Sequence, residues 1–212
     1  MWFKPNANLS AFTKQVLSPQ RDVKGYANGD DAMHFGMILG YQNHTGFGGD
    51  ILEIGTYFGR STLVLAYYLL RGQVLEVCDA FQASTPDHYD DKPAVDDVLN
   101  SIRKAVPDFD RGRMIAHNCL SRDLRLSGEA RFRFVHVDGG HSTEEALADL
   151  LLVADHTLPH GVVAVDDYDH PRWPGVKEAC DRFLEQRPDF TAFADMNRWG
   201  ALGRKLYLER GG

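Results

Sequence analysis

Glu53-Ile-Gly55-Thr-Tyr57-Phe-Gly59-Arg-Ser61-Thr62 decides the fold of this chain. It follows the apolar run Ile51 to Ile54 and precedes Leu63, Ala66, Tyr67 and Leu70, which recur at i, i+3, i+4 and i+7. A strand, a turn with two glycines and an amphipathic helix are read in that order. Glycine lets the backbone turn tightly and approach a ligand, and a helix starting at Ser61 or Thr62 offers free N–H groups to a carboxylate. The turn is not the dinucleotide fingerprint, because Gly55 and Gly59 are separated by three residues and the middle glycine is missing. It is not a P-loop either, since Arg60 stands where that motif needs lysine and the spacing is one residue short.

The same alternation continues on both sides. Val74 to Cys78, Met114 to Ala116, Phe132 to Val137 and Val162 to Val165 are short strand-like runs, several without the polar alternation of a half-exposed strand. Between them lie three more helical patterns: Val95, Val98, Leu99, Ile102; Leu147, Leu150, Leu151, Ala154; and Val176, Ala179, Cys180, Phe183. Ser142-Thr-Glu-Glu145 reads as a capping box, and Pro174-Gly175 breaks the chain before the last helix. Strand–helix alternation predicts a doubly wound, Rossmann-like α/β fold with a mostly parallel sheet of seven strands. Phe190 to Ala194, a turn through Asn197 to Gly203, and Lys205 to Leu208 read as a C-terminal hairpin that adds an antiparallel strand. Residues 1–48 precede the first strand and are expected to be a helical cover or lid, with 49–212 as the main domain.

Composition narrows the class. With 212 residues, 43% hydrophobic and 25% charged, the chain suits one large globular domain that needs no disulfide or structural metal. Its longest apolar stretch, Leu63 to Leu70, is far shorter than the roughly 20 residues that span a bilayer. Met1-Trp-Phe-Lys-Pro-Asn lacks the pattern of a signal peptide, so a cytoplasmic protein is expected. A net charge of -7, with the 23 basic residues scattered, argues against nucleic acid. Cys78, Cys119 and Cys180 are too far apart for a Cys-x-x-Cys site and are expected to be reduced.

Ligands of such a sheet bind beyond the carboxyl ends of its strands. The second strand ends in Asp79, whose carboxylate can accept hydrogen bonds from ribose hydroxyls. The fourth ends in Asp138-Gly-Gly-His141 and the fifth in Asp166-Asp167. Carboxylates converging there repel one another unless a cation sits between them, and oxygen ligands suit Mg²⁺, Mn²⁺ or Ca²⁺. Alternatively, one or two of them cap the following helices.

Glu53 to Ser61 resembles the first motif of class I S-adenosylmethionine-dependent methyltransferases, particularly small metal-dependent O-methyltransferases of the catechol type. The stretch from Phe134 to Asp167 resembles their metal region and that of O-methyltransferases acting on macrolide sugars. The resemblance implies that Glu53, Gly55, Tyr57, Gly59 and Ser61 form the cofactor loop, with Glu53, Gly55, Tyr57 and Ser61 around the methionyl part. It implies that Asp79 holds the ribose, that Asp138, Asp166 and Asp167 bind the metal, with Asp138 also beside the cofactor, and that His141 is the general base. Two departures stand out: Asp167 replaces the usual asparagine ligand, and Gly140 replaces an aromatic that stacks on adenine. Asn118 and Ser121 are candidates for that adenine role.

The expected reaction is methyl transfer to a hydroxyl of a small molecule, such as a vicinal diol, sugar or catechol-like compound of secondary metabolism. A metal lowers the hydroxyl pKa and His141 removes its proton. A metal-dependent hydroxylase or hydrolase on the same fold, or a non-catalytic cofactor-binding protein, are the alternatives. Tyr26, His34, Met37 and Tyr41 belong either to the cover, with a possible homo-oligomer contact, or to the substrate site. Tyr168, Trp173, Arg198 and Trp199 are candidate pocket walls.

Overall fold

Strands β1 (Asp50–Ile54), β2 (Leu75–Asp79), β3 (Met114–Asn118), β4 (Phe132–Val137), β5 (Thr157–Tyr168), β6 (Phe190–Met196) and β7 (Arg204–Arg210) form one sheet. Their order is β3-β2-β1-β4-β5-β7-β6 in this computed structural model, which describes residues 10–82 and 91–212. The opening residues read for a targeting signal lie outside the described residues. The pairs from β3 to β5 are parallel, while β7 runs antiparallel to both β5 and β6. The last hairpin thus folds back so that its second strand, not its first, joins the parallel sheet. That places β7 between two neighbours.

Helices α1 (Gly29–Thr45), α2 (Thr62–Tyr67), α3 (Val95–Ala105), α4 (Thr143–Ala154) and α5 (Pro174–Gln186) cover the two faces. Because strand side chains alternate, the sheet feeds two cores. Leu52, Ile54, Val135, Val137 and Val163 pack with Leu147, Leu150 and Phe183 on one face. Ile51, Val77, Phe134 and Tyr207 pack with Phe35, Leu39, Leu63, Val98 and Ile102 on the other.

Local chemistry accounts for the boundaries. Asn28 caps α1 by accepting from the N–H groups of Asp30 and Asp31, and Asp31 returns the bond to the Asn28 N–H at 2.7 Å. Ser142 caps α4, but its hydroxyl, not its N–H, donates to Glu145, at 2.6 Å. Helix α2 stops at Tyr67, so the expected Leu70 lies beyond it. The carbonyls of Tyr68, Leu69 and Leu70 accept instead from Asn43, Arg133 and Arg113. Strand β5 begins five positions earlier than its apolar run, with a register shift opposite Phe132 to Phe134 and His160 at φ 62°.

Several buried side chains within the strands are polar, Arg133, His136, Glu76 and Lys205 among them. Arg133, fully buried in β4, donates to Gln42, Gly49, Tyr68 and Gln73, and burial pushes its guanidinium down to about 10. Lys205, fully buried in β7, is described below. Phe35 of α1 packs edge-on against Phe134 and His136, at ring distances of 5.2 and 4.9 Å, so this part of the 1–48 segment covers the sheet. No helix among the described residues is long and apolar enough to cross a membrane.

Candidate active site

The strand order reverses between β1 and β4, and the chain splits there into a crevice above their carboxyl ends. A cavity of about 810 Å³ opens at that point. Its wall includes Gly55, Tyr57, Asp79, Ser121, Asp138 and His141, together with Asp166, Asp167, Trp173, Arg198 and Trp199.

The β1 turn is built to pass close to β4. Gly55 has φ 83°, and a Cβ there would lie 1.7 Å from the carbonyl oxygen of Asp138. The Asp138 N–H also bonds the Ile54 carbonyl at 2.8 Å, so neither backbone can retreat. Asp79 ties the turn down: its two oxygens accept the N–H groups of Tyr57 and Phe81, each at 2.7 Å. Tyr57, Phe81, Asp167 and Asp169 are non-glycine residues with positive φ, and all follow or end β1, β2 or β5 at the crevice. Strain concentrated at strand ends in this way accompanies binding sites.

Not every residue expected at the cofactor reaches the cavity. Glu53 is fully buried beneath it; the Thr62 hydroxyl donates to one of its oxygens and His136 Nδ1 lies 2.9 Å from the other. Glu53 therefore supports the turn from below and does not line the cavity, because it points to the α1 face and not past the strand end. Gly59 (φ 81°) admits Val98 of α3, whose Cγ1 would stand 3.1 Å from a Cβ. Ser61 is buried at the start of α2. Asn118 is exposed at the end of β3 and lies off the cavity, while Ser121 is on its wall.

His141 stacks on Trp173 at 4.4 Å and 18°, and its Nε2 lies 3.3 Å from Asp167 Oδ2. An aromatic floor and a carboxylate fix the imidazole in the crevice. Trp173 therefore acts on the candidate base as well as on the pocket wall. Trp199 is 91% exposed on the β6–β7 turn, and Tyr26, 76% exposed, stacks on Tyr57 at 6.0 Å. Both touch the cavity rim. Met37 and Tyr41 are exposed on α1, and His34 meets Tyr207 edge-on at 5.9 Å. Tyr168 carries Lys177 and Arg204 over its ring, away from the cavity wall.

Asp138, Asp166 and Asp167 do converge, and the structure adds charges that the strand-end reading did not contain. Lys205 Nζ lies 2.8 Å from Asp166 Oδ2, 2.9 Å from His136 Nε2 and 3.4 Å from Asp31 Oδ1. Lys205 thus meets three polar neighbours; against burial and the nearby Lys205, Asp166 and Glu53 raise the His136 imidazole above its ordinary pKa. Arg198 Nη2 lies 2.7 Å from Asp166 Oδ1 and 3.5 Å from Asp167 Oδ1, and its Nη1 lies 3.4 Å from Asp31. Burial opposes the charge of Asp166, yet Lys205, His136 and Arg198 outweigh it and hold the carboxyl well below the usual range. Lys205 is likewise held charged against burial by Asp166 and Asp31. Asp138 differs: burial, then repulsion by Asp166, push it up to about 7.

The ligand set expected for a divalent ion therefore does not fit as read. Both oxygens of Asp166 already accept from buried cations, and an ion in contact with them would face an ammonium and a guanidinium at close range. Two sets have ligand atoms within 4.8 Å of one another: His136, Asp138 and Asp166, in which Lys205 and Arg198 already engage the Asp166 oxygens and Lys205 lies 2.9 Å from His136 Nε2, and Asp138, His141 and Asp167, which would consume the imidazole expected to be the base.

Asp149 of α4 is a functional candidate that sequence reading missed. It is 2% exposed, lies on the cavity wall, and burial pushes its carboxyl up to about 7. A Cβ on Gly139 would stand 2.4 Å from its Oδ2, so the Asp138-Gly-Gly-His141 turn rests on it. Its position in the helical pattern beside Leu147 and Leu150 was the available signal: an acid on an inward turn of an apolar helix. Cys78 and Cys119, also on the wall, have free thiols with sulfurs 3.9 Å apart.

Comparison with known proteins adds a family. Residues 52–168 match a family model described as a methyltransferase domain. No curated protein matches by sequence. Among solved structures, the O-methyltransferase NovP superposes with a TM-score of 0.71 at 16% identity, covering 95% of this chain and 88% of that one. CalS11, a TDP-rhamnose 3'-O-methyltransferase of calicheamicin biosynthesis, gives 0.61 at 21% identity, covering 86% and 80%. TomG from Streptomyces achromogenes, solved with S-adenosylmethionine, gives 0.60 at 20%, covering 99% and 92%. At these identities the structural likeness is one of fold.

Proposed function

The chain belongs to the methyltransferase-domain family, and from that premise we propose that it transfers the methyl group of S-adenosylmethionine to a hydroxyl oxygen of a small molecule. The observation that carries this reading is the meeting of Gly55, Asp79 and Asp138 around one cavity, with His141 beside them on a stacked, carboxylate-braced ring. NovP and CalS11, which share the fold, are described as O-methyltransferases, and TomG holds the same cofactor. In this reading Asp79 accepts from the ribose hydroxyls, Ser121 and the Gly139–Gly140 turn flank the adenine, and Gly55, Tyr57 and Asp138 face the methionyl part.

Methyl transfer from a sulfonium is an in-line displacement, and the protein's task is to align an oxygen and remove its proton. His141 takes that proton, and Asp167 faces the positive charge that develops on the ring. The oxygen forms its bond to the methyl carbon as the carbon–sulfur bond breaks, and the electron pair returns to sulfur. Trp173 and Trp199 offer apolar faces of the kind that bind a sugar or an aromatic ring. The expectation of a vicinal pair of hydroxyls rested on both oxygens reaching an ion, so a single hydroxyl is sufficient for this site.

Calorimetric titration tests the cofactor. S-adenosylmethionine and its demethylated product should bind, with NAD much weaker, because the β1 turn lacks the middle glycine that admits a pyrophosphate. Asp79→Ala should weaken binding by about 1–3 kcal/mol through lost charge-assisted bonds. Equal affinity for NAD would remove the assignment.

A further inference from the structure

We propose that the carboxylate cluster takes its cation from the chain itself: Arg198 is the cationic group facing the acceptor oxygen, and Lys205 positions Asp166 beneath it. The proposal rests on the methyl-transfer reading for the role of Arg198, but not for the state of the cluster.

The charges decide the matter. Asp31 and Asp166 are two buried anions, and Lys205 and Arg198 are two buried cations, each in contact with both. This group of four is neutral as it stands. Removing any member leaves an uncompensated buried charge, which is far more costly than the pairs are stabilising. A divalent ion at Asp166 would have to displace one of these partners, and Lys205 has no route outward: it is fully buried, sits on an interior strand and lies 5.0 Å over the Phe35 ring.

Arg198 differs from Lys205 in what it touches. Its side chain is held on the β6–β7 turn by the Gly203 carbonyl, to which Nε and Nη2 donate at 3.3 and 3.2 Å, yet the residue lines the cavity together with Asp138, Asp167 and His141. A guanidinium fixed at both ends needs no reorganisation when an oxygen beside it gives up a proton. The hydroxyl proton goes to the His141 imidazole, Arg198 faces the oxygen as its negative charge grows, the oxygen–methyl bond forms, and the methyl–sulfur bond breaks to leave a neutral thioether. The proton on His141 then passes to solvent. The balance needs no other reactant.

The test has two arms. In the first, Mn²⁺ alone is added to the protein and followed by electron paramagnetic resonance. The parent should leave the free Mn²⁺ signal undiminished, whereas Arg198→Met, and Arg198→Met combined with Lys205→Met, should take up the ion because Asp166 becomes available. The parental Mn²⁺ and EDTA readings need no variant and keep the proposal falsifiable if either substitution prevents folding. In the second, labelled-methyl transfer is run with any acceptor found active. Excess EDTA should leave the parental rate unchanged, and Arg198→Met should lower kcat by about 10²-fold or more, the scale of a lost preorganised donor, with Arg198→Lys recovering part of it. Tight Mn²⁺ uptake by the parent, together with loss of transfer in EDTA, would overturn the proposal. Absence of any transfer with a silent Mn²⁺ arm would instead count against the methyltransferase reading and leave the self-neutralised cluster standing.

Discussion

Gly55→Ala is expected to abolish measurable binding of S-adenosylmethionine and to lower Tm by on the order of 10 °C. Two costs add. The residue sits at φ 83°, a left-handed conformation that costs an L-residue about 1–2 kcal/mol. Its Cβ would also stand 1.7 Å from the Asp138 carbonyl oxygen and 2.5 Å from the carbonyl carbon, and relief of such overpacking costs about 1–3 kcal/mol more. The atoms in the way are backbone, so relief must separate β1 from β4 where the cavity opens. Gly46→Ala is the control: its φ is 76° with no heavy atom within 4 Å of the new Cβ, so it should show the strain cost and normal cofactor binding. Thermal melts and titration of both variants check the pair. Normal binding by Gly55→Ala would show that the β1 turn is not the cofactor cradle.

His141→Ala should leave cofactor affinity near normal and lower kcat by about 10²–10⁴-fold, the range for loss of a general base. The loss should be larger for an aliphatic alcohol than for an acidic phenol, which gives up its proton more readily. In the parent the rate should rise with pH as the imidazole loses its proton, and the variant should lose that rise. Trp173→Ala, which removes the stacked ring at 4.4 Å, should lower kcat in the same direction and by less, because Asp167 still holds the imidazole. An unchanged pH–rate profile in His141→Ala would take the histidine out of the mechanism.

The parallel sheet was legible because its strands are short and mostly apolar and the four helices between them show apolar residues at 3.6-residue spacing. The hairpin was legible for a similar reason: Phe190 to Ala194 and Lys205 to Leu208 are separated by a polar, glycine-containing turn. What could not be read was the hairpin's placement. A terminal hairpin reads equally well with either strand at the edge, and a lysine on an edge strand needs no partner. Once β7 lies between β5 and β6, Lys205 is interior and must be paired. That one topological fact changes the chemistry of Asp166. Asp31 was hidden for another reason: it is the third residue of α1, bonded back to the Asn28 cap, and its second role depends on α1 lying across the sheet end. Glu53 was placed on the right turn and the wrong side of it, because strand alternation sends it to the α1 face while Gly55 opens onto the cavity. Asp79, Asp138, Asp167 and His141 came together as their positions at strand ends required.

Incubation of the protein with S-adenosylmethionine carrying a ¹³C-labelled methyl group, across a set of phenols, sugars and aliphatic alcohols, tests the central claim most directly. The account predicts an oxygen-bound labelled methyl in at least one product, matched mole for mole by S-adenosylhomocysteine and unaffected by EDTA. Consumption of an acceptor with no label incorporated, or label found only on nitrogen or carbon, would contradict it.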